Sequence, residues 1–441
     1  MLSKRSGTQP RVVIVGGAGD MAGVAARRLL EIRDDVALAL ADRDETGAAR
    51  RAAQLGQERV SSAGLDLNDG RGLRTAMRGA ALVVNATGPY FRTGPPVLEA
   101  CIDERVSYID FGDDLEAADV MLGLDRSARD AGVTALIGAG IAPGAVNVAV
   151  RKMADRLDVV ERVRVAWVTG SSPRAEGELG GGRAVLEHML HECLGITWTI
   201  RDGRRSPIPA FRVTEVLEFP PPLGFARVYD LGHAELATIP RAFPEVREVR
   251  SQGGLMPVAL NGIFQGVADL VAHGSVSWDQ AVDFLIALDS GERPAPRPLL
   301  GALRGVAAQG LRRELAPADI SHFIALLGGR EEGETPGGLR VEVEGRRDGR
   351  SLALLAAAGM SQSAAAGGMD EVTGTPLSVF ADLLLDGRVA GPGVLAPEQA
   401  VDPGQFEQRI APLRLPGIGD LFAPDEMQPL LHGNPPRSSP D

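Results

Sequence analysis

The first residues able to do chemistry are Gly17-Ala18-Gly19-Asp20-Met21-Ala22. They follow the β-branched run Arg11 to Val15 and open a helical pattern, so they predict a glycine-rich turn between a strand and a helix. Such a turn lets backbone approach a pyrophosphate, and the helix N-terminus behind it supplies free N–H groups and partial positive charge. Alanine in the third glycine place is compatible with that role. A second strand-like run, Val36 to Ala41, ends at Asp42, where a carboxylate can accept hydrogen bonds from an adenosine ribose. The pattern predicts a nicotinamide dinucleotide, NAD before NADP, because a 2′-phosphate would meet Asp42. Arg43, next in line, keeps NADP open, since a guanidinium pairs with phosphate. The bland alternative is a glycine-rich turn that binds nothing.

A second group is His188-Met189-Leu190-His191-Glu192-Cys193. Histidines at i and i+3 share a helix face, and Glu187 or Cys193 could join them around a metal. No second set of ligands is evident in the sequence, and Cys193 is rotated off that face. The expectation is therefore no metal, with this helix lining a cleft or a dimer contact. Of the remaining histidines only His233 is expected near the cleft. Gly253-Gly254-Leu255 reads as a helix entry rather than a second phosphate loop, and no Ser–His–Asp arrangement is evident.

These residues need elements to hold them. With 441 residues, two domains are expected. Strand-like and helix-like runs alternate from Arg11 to Ile137, with further strands near Val60, at Ala81 to Asn85, Ser107 to Ile109 and Thr134 to Ile137. That alternation predicts an α/β, doubly wound parallel sheet of the Rossmann type over residues 11–147, after a flexible leader at 1–10. Residues 148–371 read differently. Val163, Val165 and Trp167 alternate with Arg162, Arg164 and Ala166, and a hairpin is expected across Arg346-Arg347-Asp348-Gly349. This segment is expected to be an α+β domain on a mainly antiparallel sheet that binds substrate and dimerises. Residues 372–423 are expected to be a helical segment that could return to the first domain, and 424–441, rich in Pro, Ser and Gly, a disordered tail.

Composition narrows the function classes. The net charge of -12 gives the chain no electrostatic reason to seek phosphate backbones or anionic membranes, so neither nucleic acid nor membrane is an expected partner. Two cysteines cannot make a disulfide framework, and no signal-peptide core follows the basic N-terminus, so the expected compartment is the cytoplasm. The uncharged stretch from Ala131 to Val150 has the length of a membrane span, but its glycines, Pro143 and Asn147 fit strand, turn and helix start. Only Lys4 and Lys152 are lysines, which argues against chemistry built on a catalytic lysine.

Further segments carry a family signal: Val83-Val84-Asn85-Ala86-Thr87-Gly88-Pro89-Tyr90, then Gly94 to Cys101, Ser107-Tyr108-Ile109-Asp110, and Gly138 to Asn147. With the N-terminal Gly-Gly-Ala-Gly-Asp-Met, they resemble the saccharopine dehydrogenase-like family. The likeness is dense over Arg11 to Val150, thin in the middle, and recovers around Thr373-Gly374-Thr375-Pro376, Leu385-Asp386-Gly387 and Gly393 to Glu398. Two positions depart from the family: Ser107 stands where histidine is common, and Ala142 where many members have aspartate before Pro-Gly. The resemblance implies an NAD(P)-dependent oxidoreductase transferring hydride to or from the C–N bond of an amino acid or polyamine-like substrate, working as a homodimer. The alternatives are a reductase of a C=C or C=O bond and a dinucleotide-binding protein without catalysis.

Hydride transfer to an imine needs little covalent help: a positioned nicotinamide, a group for the amine proton, and partners for substrate carboxylates. In a doubly wound sheet those groups lie beyond the carboxyl ends of the strands. Tyr90, Asp110, Asp113 and Asn147 fall there and are the candidate catalytic residues. For Tyr90 the alternative is a packed aromatic, and for Asp110 a cap or turn residue. Ala86, Thr87, Gly88 and Pro89 are expected along the nicotinamide ribose, and Asp66, just past the third strand, joins the cofactor set. Arg241, with Arg92 behind it, is the candidate clamp for a substrate carboxylate.

Overall fold

Val12, Val13, Ile14 and Val15 are all buried, as are Leu82, Val83 and Val84: unbroken β-branched and leucine runs of this kind suit parallel strands covered on both faces. The computed structural model describes residues 9–56, 58–170, 182–292, 294–328, 334–361 and 368–427. Its first domain runs β1 (Arg11–Val15), α1 (Asp20–Ile32), β2 (Ala37–Asp42), α2 (Glu45–Leu55), β3 (Val60–Gly64), α3 (Gly70–Met77), β4 (Leu82–Asn85), α4 (Tyr90–Glu104) and β5 (Ser107–Asp110). It continues through α5 (Leu115–Gly123), α6 (Asp125–Ala131), β6 (Thr134–Leu136) and α7 (Ala145–Ala154). The expected parallel, doubly wound sheet is present, with strands in the order β3-β2-β1-β4-β5-β6. The order reverses beside β1, and at such a switch point doubly wound sheets hold their ligands in a crevice at the carboxyl ends of the strands.

The stretch Leu115 to Ala131 is two helices, broken at Leu124. Helix α4 begins at Tyr90 and carries Pro95 and Pro96 inside it, so Tyr90 sits on the first turn.

The second domain comprises β7 (Val159–Thr169), α8 (Gly182–Glu192), β8 (Ile196–Arg201), β9 (Arg204–Pro209), β10 (Thr214–Glu218), β11 (Phe225–Asp230), α9 (Glu235–Ala242) and β12 (Glu248–Leu255). Then follow α10 (Ala259–Ala272), α11 (Trp278–Asp289), α12 (Pro296–Leu311), α13 (Pro317–Leu327), β13 (Gly337–Arg347) and β14 (Arg350–Met360). The hairpin strands are longer than the sequence suggested: Arg347 already faces Arg350, and Asp348 and Gly349 turn at φ 50° and 72°. The sheet is antiparallel throughout except for its central pair, β12 beside β7, which is parallel. Phe211 lies in the turn before β10 at φ 53°.

The chain closes with α14 (Gly368–Leu385), β15 (Gly393–Leu395), α15 (Pro397–Ala400), α16 (Pro403–Ile410), α17 (Ile418–Leu421) and β16 (Asp425–Met427). Helix α14 packs along α1, where Arg27 and Arg28 pair with Glu371 and Arg33 pairs with Asp382 and Asp386. The expectation of helix alone misses β15, which adds a seventh, parallel strand beside β6. Within the segment read as a disordered tail, Asp425–Met427 pair with β14; residues 428–441 and the leader at 1–8 lie outside the described residues.

Helix α7 explains the uncharged run. Ala145 through Val150 are all buried, and Val146, Val148 and Val150 belong to one core with Val12 and Ile14 of the first sheet and Val163, Val165 and Val341 of the second. A helix apolar on every side belongs in a protein core as readily as in lipid. No helix among the described residues is long and apolar enough to cross a membrane.

Candidate active site

The crevice is built first by the turn after β1. Gly16 sits at φ 83°, a left-handed conformation that glycine adopts without steric cost, and a Cβ there would lie 2.6 Å from the Ala86 carbonyl oxygen. The Gly17 position touches β2: a Cβ would meet that of Leu40 at 2.7 Å. Gly19 caps α1 without any side-chain bond, and an added Cβ would meet only the Gly16 oxygen, at 3.3 Å. The helix N-terminus is thus bare and open, and its first-turn N–H groups have no intrahelical acceptor. A dinucleotide pyrophosphate fits these features.

Asp42 ties the ribose position to the turn. Its Oδ2 accepts the Ala18 N–H at 3.0 Å and its Oδ1 the Asp44 N–H at 2.9 Å, which fixes the carboxylate at the end of β2. Arg43 is exposed and has no ion-pair partner among the described residues. Asp20 turns its side chain to Arg51, at 2.6 Å, while Asp20 and Met21 form the first turn of α1. Asp66 is exposed and spends its Oδ1 on the Asn68 backbone and side-chain amides.

A hydrogen-bonded floor then crosses three strand ends. Thr87 donates from its N–H and hydroxyl to Asn85 Oδ1, Asn85 Nδ2 donates to the Tyr108 hydroxyl at 3.1 Å, and that hydroxyl donates to Asp110 Oδ2 at 2.7 Å. Asp110 Oδ1 accepts the N–H groups of Gly112 and Gly138 at 2.9 and 2.8 Å. Burial pushes the Asp110 carboxyl up to about 6 in spite of these donors. The structure therefore gives Asp110 the turn-residue role: it is fully buried and joins the β5 and β6 loops rather than reaching the crevice. Asn147 is similarly interior. It accepts the Gly144 N–H, caps α7, and donates to Glu398 at 3.1 Å. The Ala86, Thr87, Gly88 and Pro89 segment connects β4 to α4. The Tyr90 hydroxyl donates to the Asn85 carbonyl at 3.3 Å, and burial together with Asp110 and Asp113 keeps it protonated.

Asp113 is the sequence candidate that the structure surrounds with titratable groups. The segment Asp113–Leu115 runs against Gly232–Ala234, joined by Ala234 N–H to the Asp113 oxygen at 2.8 Å and Leu115 N–H to the Gly232 oxygen at 3.3 Å. This places His233 beside Asp113, with Nε2 3.9 Å from Oδ2. From α8, His188 approaches with Nε2 3.2 Å from the same oxygen. Each imidazole is held from behind: His188 Nδ1 lies 2.9 Å from Asp114 Oδ1 and His233 Nδ1 2.7 Å from Glu235 Oε2. Asp114 also accepts the Phe91 N–H. Burial opposes charge on both histidines, but their carboxylates outweigh it, raising His188 well above the usual range and His233 to about 9. Burial raises Asp113 and takes Glu192, which accepts the Gly232 N–H, to about 8.

Sequence reasoning missed this assembly because its parts are remote: His188 is 74 positions from Asp114. The signal was the His188-x-x-His191-Glu192 run, but the face that matters pairs His188 with His233 and Asp113, while His191 stacks on Phe91 and leans to Glu116. Arg92 lies over Phe91 and Trp278, 3.8 Å from Glu187. Arg241 is not joined to the cluster; it pairs with Asp125 at 3.1 Å.

A doubly wound dinucleotide-binding domain joined to an α+β domain, with a buried ionisable cluster at the strand ends between them, defines the class. Residues 12–136 match the family model for the saccharopine dehydrogenase NADP binding domain, in line with the sequence resemblance over that stretch. Carboxynorspermidine synthase from Vibrio cholerae is 28% identical over 183 residues, covering 38% of this chain and 41% of that protein. Carboxyaminopropylagmatine dehydrogenase from Synechocystis is 24% identical over 258 residues, 54% of this chain and 61% of that protein. The chain thus spans less than two thirds of the length of these relatives. Saccharopine dehydrogenase (L-Glu forming) from Saccharomyces cerevisiae shares the fold, with a TM-score of 0.60 at 16% identity over 95% of this chain and 100% of that one.

Proposed function

We propose that the chain is an NAD(P)-dependent oxidoreductase that acts on the C–N bond of an amino acid or polyamine-like substrate. The observation that carries this reading is the carboxylate-rich cluster around Asp113, set past the carboxyl end of β5 in the sheet whose β1 leads into the bare N-terminus of α1. Among the described residues no arginine or lysine pairs with Asp113, Asp114, Glu192 or Glu235. Such a site favours positive charge, which His188 and His233 supply while they hold their protons and which an amine or iminium supplies in their place, as a ketone does not. Its similarity to two polyamine-related proteins supports the same substrate class.

The nicotinamide ring would supply or accept the hydride. The chain's own residues bind, orient and screen. The Gly16–Gly19 turn and α1 hold the pyrophosphate, Asp42 receives the adenosine ribose, and the Thr87–Pro89 segment lines the nicotinamide ribose. Asp42 also sets the proposed preference for NAD, since its fixed carboxylate would repel a 2′-phosphate. Tyr90 offers a hydroxyl that keeps its proton. Asp113 faces the reacting nitrogen with negative charge, and Arg92, half exposed beside Trp278, is the proposed partner for a substrate carboxylate. Arg241, occupied by Asp125, is left out of this role.

The proposal includes a homodimer in the cytoplasm. Leu300, Leu311, Ile320 and Ile324 are exposed on α12 and α13, apolar surface that a second copy would cover. Light scattering during gel filtration reads the mass directly, and a monomer at micromolar concentration would remove the dimer from the account.

The reaction class is tested by following NADH oxidation with a panel of aldehyde–amine pairs that form imines, ketones and enones. Consumption with imine-forming pairs alone is expected. Consumption with ketones or enones in the absence of amine makes the chain a C=O or C=C reductase. Binding of NADH without turnover of any panel member leaves a dinucleotide-binding protein without this catalysis.

A further inference from the structure

The geometry around Asp113 points to a second capability. We propose that His188 Nε2, His233 Nε2 and Asp113 Oδ2 form a binding site for one divalent transition-metal ion of the zinc class, open to the crevice. The proposal does not need the C–N chemistry, only the cluster itself.

Three observations carry it. The first is convergence. The three atoms lie within 4.8 Å of one another, with separations of 3.2 and 3.9 Å from the aspartate oxygen. Zinc–ligand bonds of about 2.0–2.2 Å at tetrahedral angles place ligand atoms roughly 3.3–3.6 Å apart, so a small relaxation closes the triangle around an ion.

The second is that the atoms converge without bonding one another. His188 Nε2 and Asp113 Oδ2 approach closely but lack hydrogen-bond alignment, whereas His188 Nδ1 and Asp114 are well aligned at 2.9 Å. Both imidazoles therefore present Nε2 toward a shared point.

The third is the support behind each imidazole. Asp114 and Glu235, both buried, each accept an Nδ1–H, at 2.9 and 2.7 Å. With Nδ1–H held in this way, Nε2 is the nitrogen left to bind a metal once the ion displaces its proton, and a carboxylate on the far nitrogen makes an imidazole a stronger metal ligand. Trp167 limits movement of His233 from the side, with ring centroids 6.0 Å apart. Two imidazoles and one carboxylate suit zinc, cobalt, nickel or iron(II) better than magnesium or calcium. Asp113 keeps a side-chain exposure of 27%, so a further coordination position faces the crevice, where water or a substrate nitrogen could enter.

The competing arrangement is a metal-free network in which protons on the histidines supply the positive charge. The two are separated on full-length protein stripped with chelator, dialysed, and titrated with Zn²⁺ or Co²⁺. The expected result is one equivalent retained by elemental analysis, and a cobalt visible spectrum of low symmetry. His188→Asn, His233→Asn and Asp113→Asn should each lower affinity at least 100-fold, and Glu235→Gln by about 10–100-fold. His191→Asn, whose ring leans away to Glu116, should bind as the parent does. The cobalt spectrum is read on the unaltered chain, so it stands even if a variant fails to fold. Less than stoichiometric metal on the unaltered chain overturns the proposal, as does equal loss in His191→Asn. Dinucleotide titration of the same samples keeps the two readings apart: NADH binding without metal binding removes this site and leaves the proposed function.

Discussion

Asp110 shows how a carboxylate at a strand end can look catalytic and be structural. It lies in the expected place, yet every oxygen is used: two backbone N–H groups on Oδ1 and the Tyr108 hydroxyl on Oδ2. Asparagine in its place would keep an acceptor for the backbone groups but face Tyr108 with an NH₂, leaving a buried hydroxyl without its acceptor. Asp110→Asn is expected to lower stability by about 1–3 kcal/mol in urea denaturation while NADH still binds. Loss of NADH binding at unchanged stability would instead place Asp110 in the crevice. Glu398 gives a pH-dependent counterpart. It is fully buried, Oε1 has no partner, and burial pushes its carboxyl from 4.5 up to about 7. A raised acid is favourably folded when protonated, so this stability is complete below about pH 4.5 and is lost as pH rises through about 7. The loss approaches ~3 kcal/mol. Melting temperatures between pH 5 and 8 should fall less for Glu398→Gln than for the parent; parallel curves would show that Glu398 is charged throughout.

At the scale of elements, the second domain rests on a close helix contact that has no charged or aromatic signature. Gly262 and Gly266 of α10 face Gly301 and Gly305 of α12, and a Cβ on Gly305 would stand 1.8 Å from the Gly262 oxygen. Backbone cannot yield as a flexible side chain can, so the helices would have to part. Gly305→Ala is expected to cost about 1–3 kcal/mol, read as a lower denaturation midpoint, whereas Gly310→Ala on the same helix, with open space around it, should cost nothing or stabilise. Equal effects at the two positions would mean that the contact is not tight. The strands of the first domain were legible because buried parallel strands read as unbroken apolar runs ending in glycine or aspartate. The break at Leu124 was not legible, since Leu115 to Ala131 holds neither proline nor internal punctuation except Gly123. β15 was missed because three residues carry no periodicity, and its place is set by pairing with β6 rather than by its own sequence.

At the scale of the whole molecule, function depends on two sheets brought together by α7 and by the short ladder between Asp113–Leu115 and Gly232–Ala234. The proposed cofactor half of the site draws on residues near in sequence, which is why the sequence could suggest it: the turn, Asp42, and the Asn85–Tyr90 run. The ionisable half was not, because Asp113, His188 and His233 meet only after both domains have folded. Asp113 was found by its strand-end position, while the histidines carried no local mark of being partners. The account therefore stands first on the dinucleotide. Titration of the purified chain with NADH and NADPH, followed by ligand fluorescence, tests it most directly, with Asp42→Ala in parallel. Saturable binding is predicted, tighter for NADH than for NADPH, with the substitution weakening NADH about tenfold or more through the lost ribose bonds and narrowing the difference between the two. If neither dinucleotide bound at millimolar concentration, the turn after β1 would be a structural relic and the proposed oxidoreductase would be contradicted.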